Sequence, residues 1–129
     1  MKLIIRSGLL ALMLAAGGLV AQNPAIQRTI LQRQDTSVPG REVVIARVKI
    51  RPGGAAGAHT HSGEEISYIL DGEAEILVDG KPPLRVKSGD SFVIPAGARH
   101  DARNTGSQSC SLVAIYFVEK GKPLATPAP

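Results

Sequence analysis

The sequence predicts a small all-β, antiparallel domain, a sandwich or closed barrel, preceded by an N-terminal signal helix. Three observations carry that prediction. Short apolar or alternating segments recur between turn signals. Gly and Pro number 14 and 9 in 129 residues, which suits strands joined by turns better than a helical bundle. No segment after Val20 has the periodicity of an amphipathic helix. The length allows one domain, and 43% hydrophobic against 20% charged residues suits a globular chain. With no Trp, two Tyr and two Phe, the core must be aliphatic.

The elements follow in chain order. Lys2 and Arg6 precede an uncharged run from Gly8 to Val20, and Ala21 is a small residue at a cleavage position. Residues 1–21 therefore read as a secretory signal peptide, too short in its apolar run to span a bilayer. A retained anchor or a buried N-terminal helix is the plainer alternative. Export places the mature chain in a bacterial periplasm or outside the cell, with no stable membrane partner after cleavage. Residues 22–40 form an N-terminal arm, in which TILQRQ alternates like an edge strand but also admits a short helix.

Residues 41–119 form the β domain. In REVVIARVKI, Val44, Ala46, Val48 and Ile50 share one face while Arg47 and Lys49 point the other way. Glu65 to Leu70 is strand-like and ends at the hairpin signal Asp71-Gly72. Glu73 to Asp79 alternates, Leu84 to Lys87 alternates again, and Ser91 to Ile94 is a strand stopped by Pro95-Ala96-Gly97. Ser109 to Glu119 is the longest strand candidate. Residues 120–129 are a Pro-rich tail, expected to be disordered or draped over the surface.

Charge and cysteine usage exclude other classes. The formal charge is +4, but setting aside Lys2 and Arg6 lowers 15 basic residues to 13, against 11 acidic ones. No two basic residues are adjacent and aromatics are scarce, so nucleic-acid binding is not expected. The single cysteine, Cys110, excludes an intramolecular disulfide and a multi-Cys zinc site. It reads as a small buried hydrophobe.

The three histidines of the chain are His59, His61 and His100. His59 and His61 are two apart, so in a strand they share a face. Glu65 opens the next strand, and His100 follows the turn after Ile94. Three imidazoles and a carboxylate suit a divalent transition metal. Read by themselves, the histidines are as compatible with exposed or hydrogen-bonded core positions.

Glycine and proline spacing adds to this. Gly53, His59, His61, Glu65 and Gly72 stand in GGAAGAHTHSGEEISYILDG. Gly89, Pro95, Gly97, His100 and Asn104 stand in GDSFVIPAGARHDARN. Both stretches resemble, in order, the two signature motifs of the cupin superfamily, and the resemblance covers Arg41 to about Val118. It implies an antiparallel jelly-roll β-barrel of the small single-domain, quercetin-dioxygenase-like bacterial kind. It also implies that His59, His61, Glu65 and His100 bind one divalent metal ion (Mn, Fe, Co, Ni, Cu or Zn), with Glu64 as rival carboxylate. Asn104 would close a turn by a hydrogen bond. A homodimer is the family expectation, with Thr29 to Gln34 and the apolar Ile26, Ile30 and Leu31 as the segment to be covered.

The fold does not name a reaction. Alternation places Ser67 and Ile69 beside Glu65. Ala74, Ile76, Val78, Phe92 and Ile94 supply an aliphatic wall, suited to a small substrate held through the metal. Arg99 and Asp101 should point away from the interior as surface charges. Arg47 and Lys49 are entrance groups for an anion or, more ordinarily, a solvated surface. Two readings result. One is a metal-dependent dioxygenase-like enzyme for a small oxygen-containing substrate, with Glu65 as its catalytic group. The other is a non-catalytic binding or sensing module using the same site.

Overall fold

The computed structural model describes residues 23–129, and the expected signal peptide at residues 1–21 lies outside them. Among the described residues there are ten strands and no helix. One sheet is built from β1 (Ile26–Asp35), β2 (Arg41–Ile50), β9 (Cys110–Glu119), β4 (Gly63–Asp71) and β7 (Ser91–Ile94), in that spatial order. The other runs β10 (Thr126–Pro127), β3 (His59–Thr60), β8 (His100–Arg103), β5 (Glu73–Val78) and β6 (Leu84–Lys87). All pairings are antiparallel. Two such sheets packed face to face are the jelly roll the motifs imply.

Alternation sets what faces inward. In β2, Val44, Ala46, Val48 and Ile50 are buried while Arg47 and Lys49 are exposed. In β9, Cys110, Leu112, Ala114, Tyr116 and Val118 are buried. They meet Ala74, Ile76 and Val86 of the facing sheet, with Phe92 and Ile94 of β7 completing the core. Burying these side chains contributes roughly 1.5–3 kcal/mol for each large aliphatic one, before the entropy of ordering the chain is subtracted.

Two glycines are required by close approach. A Cβ on Gly63 would stand 1.8 Å from the Phe117 carbonyl oxygen of β9. At Gly72, φ is +79° and a Cβ would stand 2.6 Å from the Ser109 carbonyl oxygen. Asn104 is buried and fulfils the expected turn role. Its Nδ2 donates to the carbonyls of Ile50 (2.9 Å) and Gln108 (2.7 Å), and its Oδ1 accepts from the Gly106 N–H (2.9 Å).

Both ends of the described chain are more tightly tied than the sequence suggests. The arm is an edge strand: β1 pairs with β2 from Ile26↔Ile50 to Asp35↔Glu42, with a bulge between Ile30 and Gln32. The tail is neither loose nor merely draped. Thr126 pairs with Thr60 and Pro127 with His59, and Leu124 packs against the core.

Candidate metal centre

The site lies where the two sheets meet. His59 of β3 is the Cα partner of His100 of β8, which brings their rings to 4.2 Å between centroids. His61 follows β3, two residues on, and its ring lies 4.8 Å from His59 and 5.0 Å from His100. Glu65 comes from the opposite sheet, flanked by Tyr116 on β9 and Ile94 on β7. One donor atom from each of the four residues lies within 4.8 Å of the other three. His61, His100 and Glu65 are buried and His59 is half-buried at the rim. Glu64 is exposed on the other face.

Backbone carbonyls fix the imidazoles. The Nδ1 of His59 lies 2.6 Å from the Gly57 carbonyl oxygen, that of His61 2.5 Å from Leu124 and that of His100 2.9 Å from Ala98. A carbonyl oxygen only accepts, so each Nδ1 must carry the proton. In a neutral ring, Nε2 then presents a lone pair. The Ser67 hydroxyl donates to Glu65 Oε1 at 2.7 Å. That leaves Oε2 facing His61 Nε2 at 3.0 Å and His100 Nε2 at 3.4 Å.

This arrangement fits a metal ion. Lone pairs and a carboxylate oxygen converging in a buried space repel one another unless a cation lies among them. A proton on one ring serves partly; a divalent ion serves all four donors. His100 Nε2 is a buried nitrogen with no hydrogen-bond partner among the described residues. Outer hydrogen bonds from Nδ1 to carbonyls are the usual support of ligating imidazoles.

Protonation follows the same geometry. Burial, aided by the two neighbouring imidazoles, pushes His59 down to about 4 against the opposing Gly57 hydrogen bond. For Glu65, burial acts upward, but His100, His61 and Ser67 together outweigh it and hold the carboxyl well below the usual range. Burial also opposes the charged form of His100, yet the adjacent Glu65 carboxylate and the Ala98 carbonyl raise it on balance.

A cavity of about 20 Å³ adjoins the donors, lined by His59, Glu65 and His100 with apolar Val48, Ile76 and Phe92. It has room for a water or an ion. Of the wall residues expected, Ile76 and Phe92 line this cavity, whereas Ala74 and Ile94 lie in the core and Val78 is partly buried against it. A larger groove, beside Gly72, Glu73 and Lys87, contains none of the four donors.

Three contributions were not anticipated. Asp101 is not a surface charge: it is buried and accepts from the Gly57 N–H (2.9 Å) and Arg103 Nε (3.1 Å). It thus steadies the residue whose carbonyl holds His59. Parity does place Asp101 opposite His100, but the segment Ala55–Gly57 covers that face, with the Ala56 N–H donating to the Ala102 carbonyl. Arg99 does lie exposed, pairing with Asp79. The second contribution is Tyr116, buried with its ring 4.7 Å from that of His61. Its even-numbered parity with Cys110 was the available signal. The third is the Leu124 carbonyl, for which no side-chain pattern could have served.

The jelly roll with three imidazoles and a carboxylate at its centre defines a metal-binding β-barrel domain. Residues 46–116 match the Cupin domain family, and the chain belongs to it. It is 38% identical over 76 residues to the oxalate-binding protein of Thermotoga maritima, covering 58% of this chain and 62% of that one. It is 41% identical over 66 residues to the acireductone dioxygenase of Rhodopseudomonas palustris, covering 49% of this chain and 40% of the relative. The matches thus span less than two thirds of either relative. A cupin-like protein of Thermotoga maritima shares the fold with a TM-score of 0.67 at 20% identity, over 80% of this chain and 75% of that one.

Proposed function

We propose that this protein is a metal-dependent, dioxygenase-like enzyme. His59, His61, Glu65 and His100 hold one divalent transition ion, and a small oxygen-containing substrate completes the shell. The observation that carries this is the orientation of the three rings. With every Nδ1 tied to a carbonyl, every Nε2 is turned towards the centre, that of His61 against Glu65 Oε2 at 3.0 Å. The likeness to an acireductone dioxygenase supports the reaction class. When bound, the ion would supply Lewis-acid and redox chemistry at the substrate oxygen. The chain's own residues do the rest. Ser67 anchors Oε1 of Glu65, so that Oε2 is the atom available to ligate or to take a proton. The apolar wall limits water and substrate size.

The test is metal analysis of the full chain followed by oxygen uptake with flavonols, catechols and diketones. Stoichiometric Mn, Fe, Ni or Cu with turnover is the expected result. Full metal occupancy in both His59→Ala and His100→Ala would refute the ligand assignment.

A second reading, a binding or sensing module, is favoured by one observation. Beside the four donors, the titratable group at the cavity is Tyr116, whose hydroxyl is pushed up by burial and by Glu65. The likeness to an oxalate-binding protein supports it too. Bound zinc with no oxygen consumption would select it.

Export and self-association belong to the same proposal. N-terminal sequencing of the mature protein should begin at Gln22. Exposed Ile30 and Leu31 on β1, with Ile66, Tyr68 and Val93 on the outer face of β4 and β7, support a homodimer. Light scattering should return twice the chain mass.

A further inference from the structure

We propose that Arg28 is an anion anchor at the mouth of the metal cavity, selecting a small carboxylate as the substrate or ligand; this rests on the metal-site reading above. β1 is exposed along most of its length, but Ile26 and Arg28 are partly buried. Ile26 lines the cavity, and Arg28 lies two residues on, with the same parity. The guanidinium carbon of Arg28 stands 5.9 Å from the centre of the Tyr116 ring, which in turn contacts His61.

The interior leaves room for that reach. Ala46, Ala114 and Ser67 form one cross-strand row of small side chains. It separates the bulkier row of Val48, Leu112 and Ile69 from that of Val44, Tyr116 and Glu65. Arg28 is registered with Val48 and extends across the small row towards Tyr116.

Arg28 is also unlike the other arginines whose partners are acids. Arg33 pairs with Glu42, Arg99 with Asp79 and Arg103 with Asp101. Arg28 forms no salt bridge among the described residues; its guanidinium faces the Tyr116 hydroxyl, while its Nε is buried with no hydrogen-bond partner among them. A buried guanidinium N–H without an acceptor is destabilising and invites one from outside. A carboxylate matches that fork in shape and charge. The two basic residues proposed from sequence as entrance groups, Arg47 and Lys49, point outward from the same sheet. A carboxylate with one oxygen towards the ion site and another on Arg28 would use both features at once.

The experiment compares wild type, Arg28→Met and Arg28→Lys by titration calorimetry. The probes are oxalate and, as an uncharged oxygen donor, acetylacetone, each added to zinc-loaded and to chelator-treated full chain. Circular dichroism confirms folding, and metal analysis gives the ion stoichiometry separately. The expected result is oxalate binding weakened about tenfold or more in Arg28→Met and partly restored in Arg28→Lys. Acetylacetone affinity and zinc content should change less than about twofold. Unchanged oxalate affinity in Arg28→Met overturns the proposal, as does an equal loss for both probes or a wild type that binds no oxalate in either form. If the wild type takes up no zinc, the metal reading fails by itself. Arg28 is then judged by wild type and the same two variants in chelator-treated form.

Discussion

The two sheets divide the work unequally. In one sheet, β2, β4 and β9 have nine or ten residues each and are paired along most of their length. That sheet supplies most of the core and a single donor, Glu65. The facing sheet has strands of two to six residues, yet His59 and His100 lie on it and His61 follows β3 directly. Stability and chemistry are thus separated. The long ladders make a rigid floor, while the imidazoles at the short strands are held by individual carbonyls of the flanking loops, Gly57, Ala98 and Leu124. The lesson is that a site can sit on weak secondary structure when each ligand has its own anchor.

This contrast can be broken first on the rigid side. Gly63→Ala would force a Cβ into the β9 backbone, and we expect a loss of roughly 3 kcal/mol, a fall in melting temperature of more than about 10 °C. A melting curve within a few degrees of wild type would show that β4 and β9 can part cheaply. On the other side, removing Leu124 to Pro129 deletes the acceptor of His61 Nδ1–H and the partner of β3. Metal affinity, read by chelator competition, should fall by about 10–100-fold. Unchanged affinity would mean that the tail merely covers the site.

Ser67→Ala sharpens the division, since Ser67 belongs to the rigid sheet but acts on the site through Glu65 Oε1. We expect metal affinity to fall about tenfold with little change in melting temperature. The smallest effect concerns the core alone. Burial, with the Asp71 charge, pushes the Cys110 thiol up to about 11. An acid whose folded pKa exceeds its unfolded value keeps its proton longer in the fold. Stability should therefore decline as pH rises from about 9 towards 11. At pH 8 a thiol reagent should label Cys110 only after unfolding; labelling at the rate of a free thiol would contradict its burial.

Much of this was legible in the sequence for a physical reason. Strand parity is a two-residue rule, so the inward faces of β2, β4 and β5 could be read from their own residues. The four donors stood in spacings that tie turn glycines to strand starts. The choice of Glu65 over Glu64 followed from the family resemblance, in which the motif's glutamate opens the strand, and the structure places the two on opposite faces. What escaped were features that parity does not encode. Asp101 is buried by a passing loop, and β10 is two residues long, too short to alternate. Leu124 contributes a main-chain oxygen that any residue would offer.

That oxygen belongs to a residue 63 positions beyond the ring it orients. During synthesis all four donors emerge well before it, so the centre cannot be fully shaped by local chain alone. Ion capture with full affinity should therefore be a late event, completed when the far end of the domain docks.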